Sequence, residues 1–286
     1  MDRYICSGVS TYAVGRGQLQ GVKTFKNIDI LDSSELKDAF AEIKPSHILH
    51  LASKGVTRDQ STLADLLLNN SIGTDNVLSA AASLRVKPQV FLMGTAYEYA
   101  PSISPLNETS QIQPVSAYAI SKATSAYCMS KYSTQLSMHY LRLFNIYGPG
   151  EPGERLIPYI VETAKAGYPI KLTGCEQIRD YIFIDDLVEA IAGIVKNSSQ
   201  KPGAHFLNVG TGRPTKLKDV VVSIDLTLKA HGINAQILFG ALPYRIEDPM
   251  FCVADNSKLC GIIGPIHFRG INIGVPATVN SLLSKN

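Results

Sequence analysis

The sequence has no tryptophan, and its 27 lysines and arginines, set against 24 aspartates and glutamates, form no basic run. Nucleic-acid binding concentrates cations on one face or in one stretch, so the composition argues against nucleic acid as the main partner. No apolar stretch approaches the roughly 20 residues needed to cross a bilayer, and Met1-Asp2-Arg3-Tyr4 lacks the charged-then-apolar order of a secretory signal. The expected location is the cytoplasm, with no membrane partner. The five cysteines, Cys6, Cys128, Cys175, Cys252 and Cys260, are odd in number and widely spaced, with no Cys-x-x-Cys and no histidine cluster. They read as reduced structural thiols, and no metal site is expected. Charged residues make up only 18% of the chain and hydrophobic ones 45%, which excludes disorder. A chain of 286 residues can bury a substantial core as one large α/β domain or two small ones.

Short β-branched or apolar runs alternate with longer amphipathic ones over the first two thirds, the pattern of crossover βα units on a parallel sheet. The predicted strands are Thr11–Val14, Thr24–Ile28, His47–Leu51, Gln89–Met93 and Met138–Leu143. Ser33-Ser34-Glu35 is a capping signal for a helix with apolar positions Leu36, Ala39, Phe40 and Ile43, stopped by Pro45. Further helical patterns run from about Thr62 to Leu84 and from about Ser116 to Tyr132. After Pro149 glycine and proline become denser and the elements shorten, which points to a smaller lobe added to the sheet. No internal repeat or low-complexity segment is present, so solenoids and coiled coils are excluded.

The most informative stretch is Ser116-Ala117-Tyr118-Ala119-Ile120-Ser121-Lys122. Positions i and i+4 share a helix face, so the Tyr118 hydroxyl and the Lys122 ammonium can point into one site. A phenol with a pKa of about 10 is a poor acid–base catalyst at neutral pH, and a neighbouring cation favours phenolate. Tyr-x-x-x-Lys also arises by chance on a surface helix, so its surroundings decide. Gln89–Thr95 reads as a strand running into a polar turn, 23 residues before Tyr118, and sites in parallel sheets lie at the carboxyl ends of strands. That places Thr95 to hydrogen-bond a substrate oxygen. Downstream, Leu141–Gly150 is a strand ending in a Gly/Pro turn, and Arg179–Leu187 is a short strand followed by an Asp-capped helix.

This ordered set resembles the extended short-chain dehydrogenase/reductases of the NAD-dependent epimerase/dehydratase family, which remodel nucleotide-activated sugars. The markers are Asp29-Ile30, His50-Leu51-Ala52, Asn70 with Gly73-Thr74 and Asn76, Thr95 with Tyr99, Tyr118 and Lys122, Arg142–Asn145 with Tyr147-Gly148-Pro149, and Arg179-Asp180-Tyr181 with Asp185-Asp186. The resemblance implies an α/β fold built on a Rossmann-type, doubly wound parallel sheet. Residues 1–150 would form the dinucleotide-binding domain and residues 151–286 mainly the substrate lobe, with some elements returning to the sheet. Tyr118 would be the acid–base group, Lys122 its partner and a ligand of the cofactor ribose, and Thr95 the donor to the sugar oxygen that changes oxidation state. Asp29 and Ile30 would sit by the adenine, Leu51 and Ala52 beside the cofactor phosphates and ribose, with Asn70 among the cofactor contacts. Asn145, Arg179 and Arg245 would bind the substrate diphosphate, for which bidentate guanidinium groups are suited. Relatives pair through the helix of the catalytic tyrosine and the preceding long helix, so a homodimer is expected.

Two departures stand out. Members of the family begin with a buried strand and a Gly-x-x-Gly-x-x-Gly turn that cradles the cofactor pyrophosphate. Here Gly8, Gly15 and Gly17 have the wrong spacing; Thr11–Gly15 reads as the family's second strand and Met1–Ser7 as a remnant of its first helix. About two dozen residues of the usual βα unit are then missing, and a parallel sheet that loses its central strand exposes an apolar slot. A start placed downstream of the natural one, a deletion in a non-catalytic relative and a different cofactor arrangement each account for this. The second departure is Thr95-Ala96-Tyr97, where the family's dehydratases carry Asp-Glu after the threonine to eliminate water. Dehydration is therefore disfavoured, and Gly94–Tyr99 is closer to reductases of 4-keto-6-deoxy sugars. Glu98 is expected to face away from the direction of Ala96. Arg16, at the end of the second family strand, suits a 2′-phosphate, so NADP is the expected cofactor and NAD the alternative. The expected function is reduction of a keto group, at C4, of a nucleotide-linked deoxysugar; the alternatives are a 4-epimerase and an inactive binding or oligomerisation module.

Overall fold

The computed structural model describes residues 10–16, 24–55, 61–245 and 248–284. Strands β1 (Tyr12–Gly15) and β2 (Thr24–Asn27) pair in parallel. Helix α1 (Ser33–Ile43) leads to β3 (His47–His50). A continuous helical run, made of α2 (Leu63–Leu66), a π-helical stretch (Leu67–Ile72) and α3 (Gly73–Ser83), leads to β4 (Gln89–Thr95). Helix α4 (Ala117–Cys128) leads to β5 (Ser137–Leu143). The rest comprises β6 (Asn145–Tyr147), α5 (Leu156–Lys165), β7 (Ile170–Lys171), β8 (Ile178–Arg179), β9 (Tyr181–Phe183), α6 (Ile184–Asn197), β10 (Gly203–Val209), β11 (Thr215–Lys216), α7 (Leu217–Ala230), β12 (Ile237–Leu238), β13 (Phe251–Cys252), α8 (Ser257–Ile263) and α9 (Ile271–Leu283). The predicted strands and helices of the first half are present, with ends displaced by one or two residues, except that the helix expected to about Tyr132 continues past Cys128 as a 3-10 turn, Met129–Tyr132. The proposed helical remnant Met1–Ser7 lies outside the described residues, as do Gly8 and Gly17.

The main sheet is four-stranded and parallel, in the order β3-β4-β5-β10, so a strand from beyond residue 150 returns to it. Both faces of its central strands are covered, as the continuous apolar runs require. Val90 and Leu92 of β4 pack with Leu36, Phe40, Val77 and Leu78 of α1 and α3, while Phe91 and Met93 pack with Leu187, Ile191 and Leu259 of α6 and α8. A separate core of Ile160, Val161, Ile170, Val221, Ile224, Val275 and Val279 holds α5, α7 and α9 together.

Local chemistry sets the element ends. The cap of α1 is Asp32, one residue before the expected Ser33; its carboxylate accepts from the amides of Ser34 and Glu35 at 3.0 and 2.9 Å. An aspartate one residue upstream captures both donors, which leaves the serines inside the helix. The helix closes on Lys44 in the left-handed region, φ 50°, just before Pro45. The unexpected π-helical stretch widens the backbone at Asn70, whose carbonyl accepts from the Ser125 hydroxyl of α4 at 2.8 Å.

β1 and β2 form their own two-stranded sheet, and among the described residues no strand pairs β1 with β3. The outer edge of β3 therefore has no described partner, and apolar side chains near it lie in solvent: Leu49 is 40% exposed, and Leu51 and, on β1, Tyr12 are exposed as well. No described helix is long and apolar enough to cross a membrane. Two substitutions gauge this asymmetry in urea denaturation. Leu141→Ala, in the fully buried part of β5, should cost about 2–5 kcal/mol, and Leu49→Ala less than about 1 kcal/mol. Equal losses would mean that the β3 edge is covered in solution.

Candidate active site

Thr95 closes β4, and its backbone amide donates to Glu98 Oε1 at 2.9 Å. The next three residues, Ala96–Glu98, form a 3-10 turn, whose Tyr97 amide donates weakly to Thr95 Oγ1 at 3.4 Å. This turn swings Glu98 into the interior, where it is fully buried. An extended strand would put residues 96 and 98 on one face, so the place of Glu98 is set by the turn. A side chain at Gly94 would place its Cβ 2.2 Å from the Tyr140 ring and 2.9 Å from Glu98 Oε1, so the end of β4 needs a residue without one.

Helix α4 starts at the Ser116 cap, whose hydroxyl accepts from Ala119. Tyr118 and Lys122 therefore fall in its first two turns on one face. Burial pushes the Tyr118 phenol up to about 12, partly offset by a hydrogen bond with Ser53; the Glu98 carboxylate pushes it further up. This reverses the expectation that Lys122 moves the phenol towards neutral pH: desolvation dominates and Lys122 is not among the groups that shift it. Burial pulls the Lys122 ammonium down to about 8, and Glu98 opposes that pull. His50, at the end of β3, is held neutral, lowered to about 3 by burial and then by the charge of Lys122.

At the ends of β1, β2 and β3 lies a cleft of about 280 Å³ lined by residues that include Gly15, Arg16, Ile28, Ile30, Ala52 and Ser53. Of the expected cofactor residues, Arg16, Ile30 and Ala52 face it. Arg16 is largely exposed and forms an ion pair with Asp29 at 3.5 Å, which places Asp29 at its rim. Leu51 is exposed on the open side of β3. Asn70 is not a lining residue. Its amide is engaged by the Lys54 backbone, at 2.8 and 3.0 Å, and by Ser121 Oγ at 2.9 Å, so it braces the wall of the cleft from behind.

On the side of the smaller lobe, Asn145 opens β6, and its Oδ1 accepts from the Tyr97 hydroxyl at 3.1 Å. Arg179 is buried and forms an ion pair with Asp248 at 2.9 Å, while Arg245 is exposed in the loop just before that aspartate. The guanidinium of Arg179 is thus already countered by a carboxylate. The neighbouring Asp180 accepts from Thr211 N and Oγ1 (2.8 and 2.6 Å), Gly212 N (2.8 Å) and Ala254 N (3.2 Å), which joins three segments behind the site. Sequence reasoning does not single out Ser53, Tyr97 or Asp248 as site residues, and it gives Glu98 no role. Ser53 follows the His50-Leu51-Ala52 marker directly, and that adjacency is the available signal; Asp248, 69 residues from Arg179, has none.

A strand-end threonine, a tyrosine and lysine four residues apart on the following helix, and a cleft at the carboxyl ends of parallel strands define the short-chain dehydrogenase/reductase class. Within it the chain belongs to the NAD dependent epimerase/dehydratase family, whose model matches residues 3–210. It is 38% identical over 125 residues to CDP-abequose synthase of Salmonella typhimurium, a match that covers 43% of this chain and 42% of that protein, less than half its length. It is 24% identical to GDP-6-deoxy-D-talose 4-dehydrogenase of Aggregatibacter actinomycetemcomitans over 248 residues, 85% of this chain and 82% of that one. The fold is that of the UDP-glucose 4-epimerase of Thermus thermophilus, solved as a complex with NAD, with a TM-score of 0.82 and 24% identity over 100% of this chain and 94% of that one.

The low proton affinity of Lys122 has a measurable sign. Between about 8 and the ordinary lysine value of 10.5, the unfolded chain holds more protons than the folded one, so stability rises with pH across that window. Relative to Lys122→Met, the wild-type protein should gain on the order of 3 kcal/mol of unfolding free energy between about pH 7.5 and about pH 10.5. Urea titrations at both pH values read this difference, and a flat difference would mean that the ammonium is solvated.

Proposed function

We propose that the protein is a cytoplasmic reductase that delivers hydride from NADPH to C4 of a nucleotide-linked 4-keto-6-deoxy sugar, with Tyr118 supplying the proton. The observation that carries this reading is the set of groups that follow Thr95. Tyr118, its phenol pushed up by burial, is protonated at neutral pH and has a proton to give to a developing alkoxide. Around it the acids needed to expel water are missing: Ala96 has no functional group, the Tyr97 hydroxyl is bound to Asn145, and the Glu98 carboxylate is sealed in the interior. The name of the 6-deoxy-D-talose 4-dehydrogenase relative describes the same redox step at C4, on a GDP sugar.

The residues fit the two ends of a dinucleotide. The cleft by Arg16, Ile28 and Ile30 would take the adenosine, with Arg16 on a 2′-phosphate, and Tyr118 and Lys122 would border the nicotinamide ribose. When bound, the cofactor supplies the hydride. Thr95 and Tyr118 would orient the keto oxygen, Tyr118 would protonate it, and Lys122 would hold the nicotinamide ribose beside them. Residues 151–286 would mainly hold the nucleotide sugar, with Asn145, Arg179 and Arg245 on its diphosphate. A homodimer through α4 and the helical run before it accounts for the exposed Leu68, Ile72 and Tyr127 on these elements.

The reaction is tested with NADPH and 4-keto-6-deoxyglucose linked to CDP, dTDP, GDP or UDP. Tyr118→Phe should lower turnover about 100-fold or more with the fold kept; a well-folded variant that retains most activity removes Tyr118 from this role. Interconversion of the C4 epimers of a 4-hydroxy nucleotide sugar such as UDP-glucose, with no net consumption of cofactor, would instead identify a 4-epimerase, and a failure of every sugar in the wild-type protein would favour a binding module.

Cofactor choice is read separately by titrating NADPH and NADH fluorescence. No glycine-rich turn of backbone amides meets the pyrophosphate among the described residues, and each such charge-assisted bond contributes roughly 1.5–3 kcal/mol. Binding weaker than about 10 μM is expected, tighter for NADPH than NADH, with the preference lost in Arg16→Ala. A preference for NADH would assign the cleft to NAD.

A further inference from the structure

Between the ends of β4 and β5 lies a buried polar cluster with no part in the scheme above. Glu98 Oε1 accepts from the Thr95 amide at 2.9 Å, and Oε2 accepts from Arg142 Nε at 3.0 Å. The Tyr140 hydroxyl sits between Glu98 Oε1 (2.8 Å) and the carbonyl of Lys122 (2.6 Å), its one proton shared by the two acceptors. Arg142 Nη1 donates to the Tyr99 hydroxyl at 3.2 Å, which donates in turn to Asn208 Oδ1 at 2.7 Å. The guanidinium also lies 4.9 Å from the ring centres of Tyr99 and Phe206. A buried ion pair is a weak source of stability, since apolar side chains of similar volume do as well. What distinguishes this pair is where its free hydrogen-bonding capacity goes. One bond ends on the backbone of Thr95, and the other runs through Tyr140 to the backbone of Lys122.

We propose that Glu98 is the positioning residue of the site, fixing through the Thr95 amide and the Tyr140 hydroxyl the spacing between the end of β4 and the helix that carries Tyr118 and Lys122. Thr95 comes from a strand and the Tyr–Lys pair from a helix, and a misplacement of about 1 Å between them is enough to lose much of the rate. The link is held in place because Thr95, Glu98, Tyr140 and Arg142 are all buried. It also brings a negative charge beneath the pair. The groups facing Lys122 are Glu98, Tyr118 and His50; the last two are neutral, and Arg142 engages the far oxygen of the carboxylate. Glu98 raises the proton affinity of both Lys122 and Tyr118, which holds both in their protonated forms.

The inference rests on the role proposed for Tyr118 and Lys122, so its test has one readout that needs no substrate. Glu98→Gln keeps the volume and an acceptor for Thr95 but removes the charge; Tyr140→Phe keeps the ring and the Glu98–Arg142 pair but removes the bridge to Lys122. With CDP-4-keto-6-deoxyglucose and NADPH, both variants should lose about tenfold or more in kcat with KM changed less than about threefold, the pattern of a lost transition-state interaction. In substrate-free protein labelled with 13C-lysine, the NMR titration midpoint of Lys122 should fall by about half a pH unit or more in Glu98→Gln. It should stay in place in Tyr140→Phe, where the charge remains. A Lys122 midpoint unmoved in folded Glu98→Gln, or full kcat in Tyr140→Phe, overturns the proposal. If the wild-type protein reduces no 4-keto sugar, the proposed reaction falls, and the Lys122 titration still decides whether Glu98 governs the pair. Should Glu98→Gln not fold, the kinetics of Tyr140→Phe decide alone.

Discussion

The Glu98–Arg142 pair joins the ends of the two central strands, and the chemistry of the chain is arranged around that joint. β4 and β5 are buried on both faces, so neither can end in a solvated loop without a device that turns polar groups inward. The device is a carboxylate on one strand's exit turn and a guanidinium on its neighbour. Their bond at 3.0 Å sets where β4 stops, and hence where the Thr95 side chain emerges. Helix α4 is hung from the same point through Tyr140, and the small lobe from the residues that follow β5, since Asn145 N donates to the carbonyl of Asp180 at 3.0 Å. Thr95, Tyr118 and Asn145 come from three separate elements, and one buried charge pair relates them.

The fold is legible in the sequence because its signals are local. Alternation of apolar runs marks the strands, Pro45 the end of α1, and the spacing of Tyr118 and Lys122 their common face. What is not legible needs information at longer range or a finer backbone description. The residue pattern of Gly94–Tyr99 does not show the 3-10 turn after Thr95 that carries the Glu98 carboxylate into the interior. The place of Asn70 among the family markers does not show the π-helical stretch or the bonds of its amide to the backbone of Lys54. The proton affinity of Tyr118 cannot be read from a lysine four residues away, because the sequence does not show the desolvation that outweighs it. Asp248 faces Arg179 across 69 residues of chain, a pairing that only the assembled lobe creates.

Arg179 and Asp248 also show how the two halves of the site differ in character. Around Tyr118 the polar groups are few and desolvated, so each carries a large effect on proton affinity. Around Arg179 the charge is compensated by Asp248, so the diphosphate proposed for that site would have to share or displace a carboxylate to gain the full benefit of the guanidinium, and a ligand with less negative charge would do so less well.

The divided sheet leaves a second surface open to association beside the helical face proposed for pairing. Among the described residues no strand pairs with the outer edge of β3, and Leu49 and Leu51 lie in solvent there, so the edge offers backbone donors and acceptors to an extended chain. Lysines or prolines on an edge oppose such pairing, and β3, His47-Ile48-Leu49-His50, carries neither.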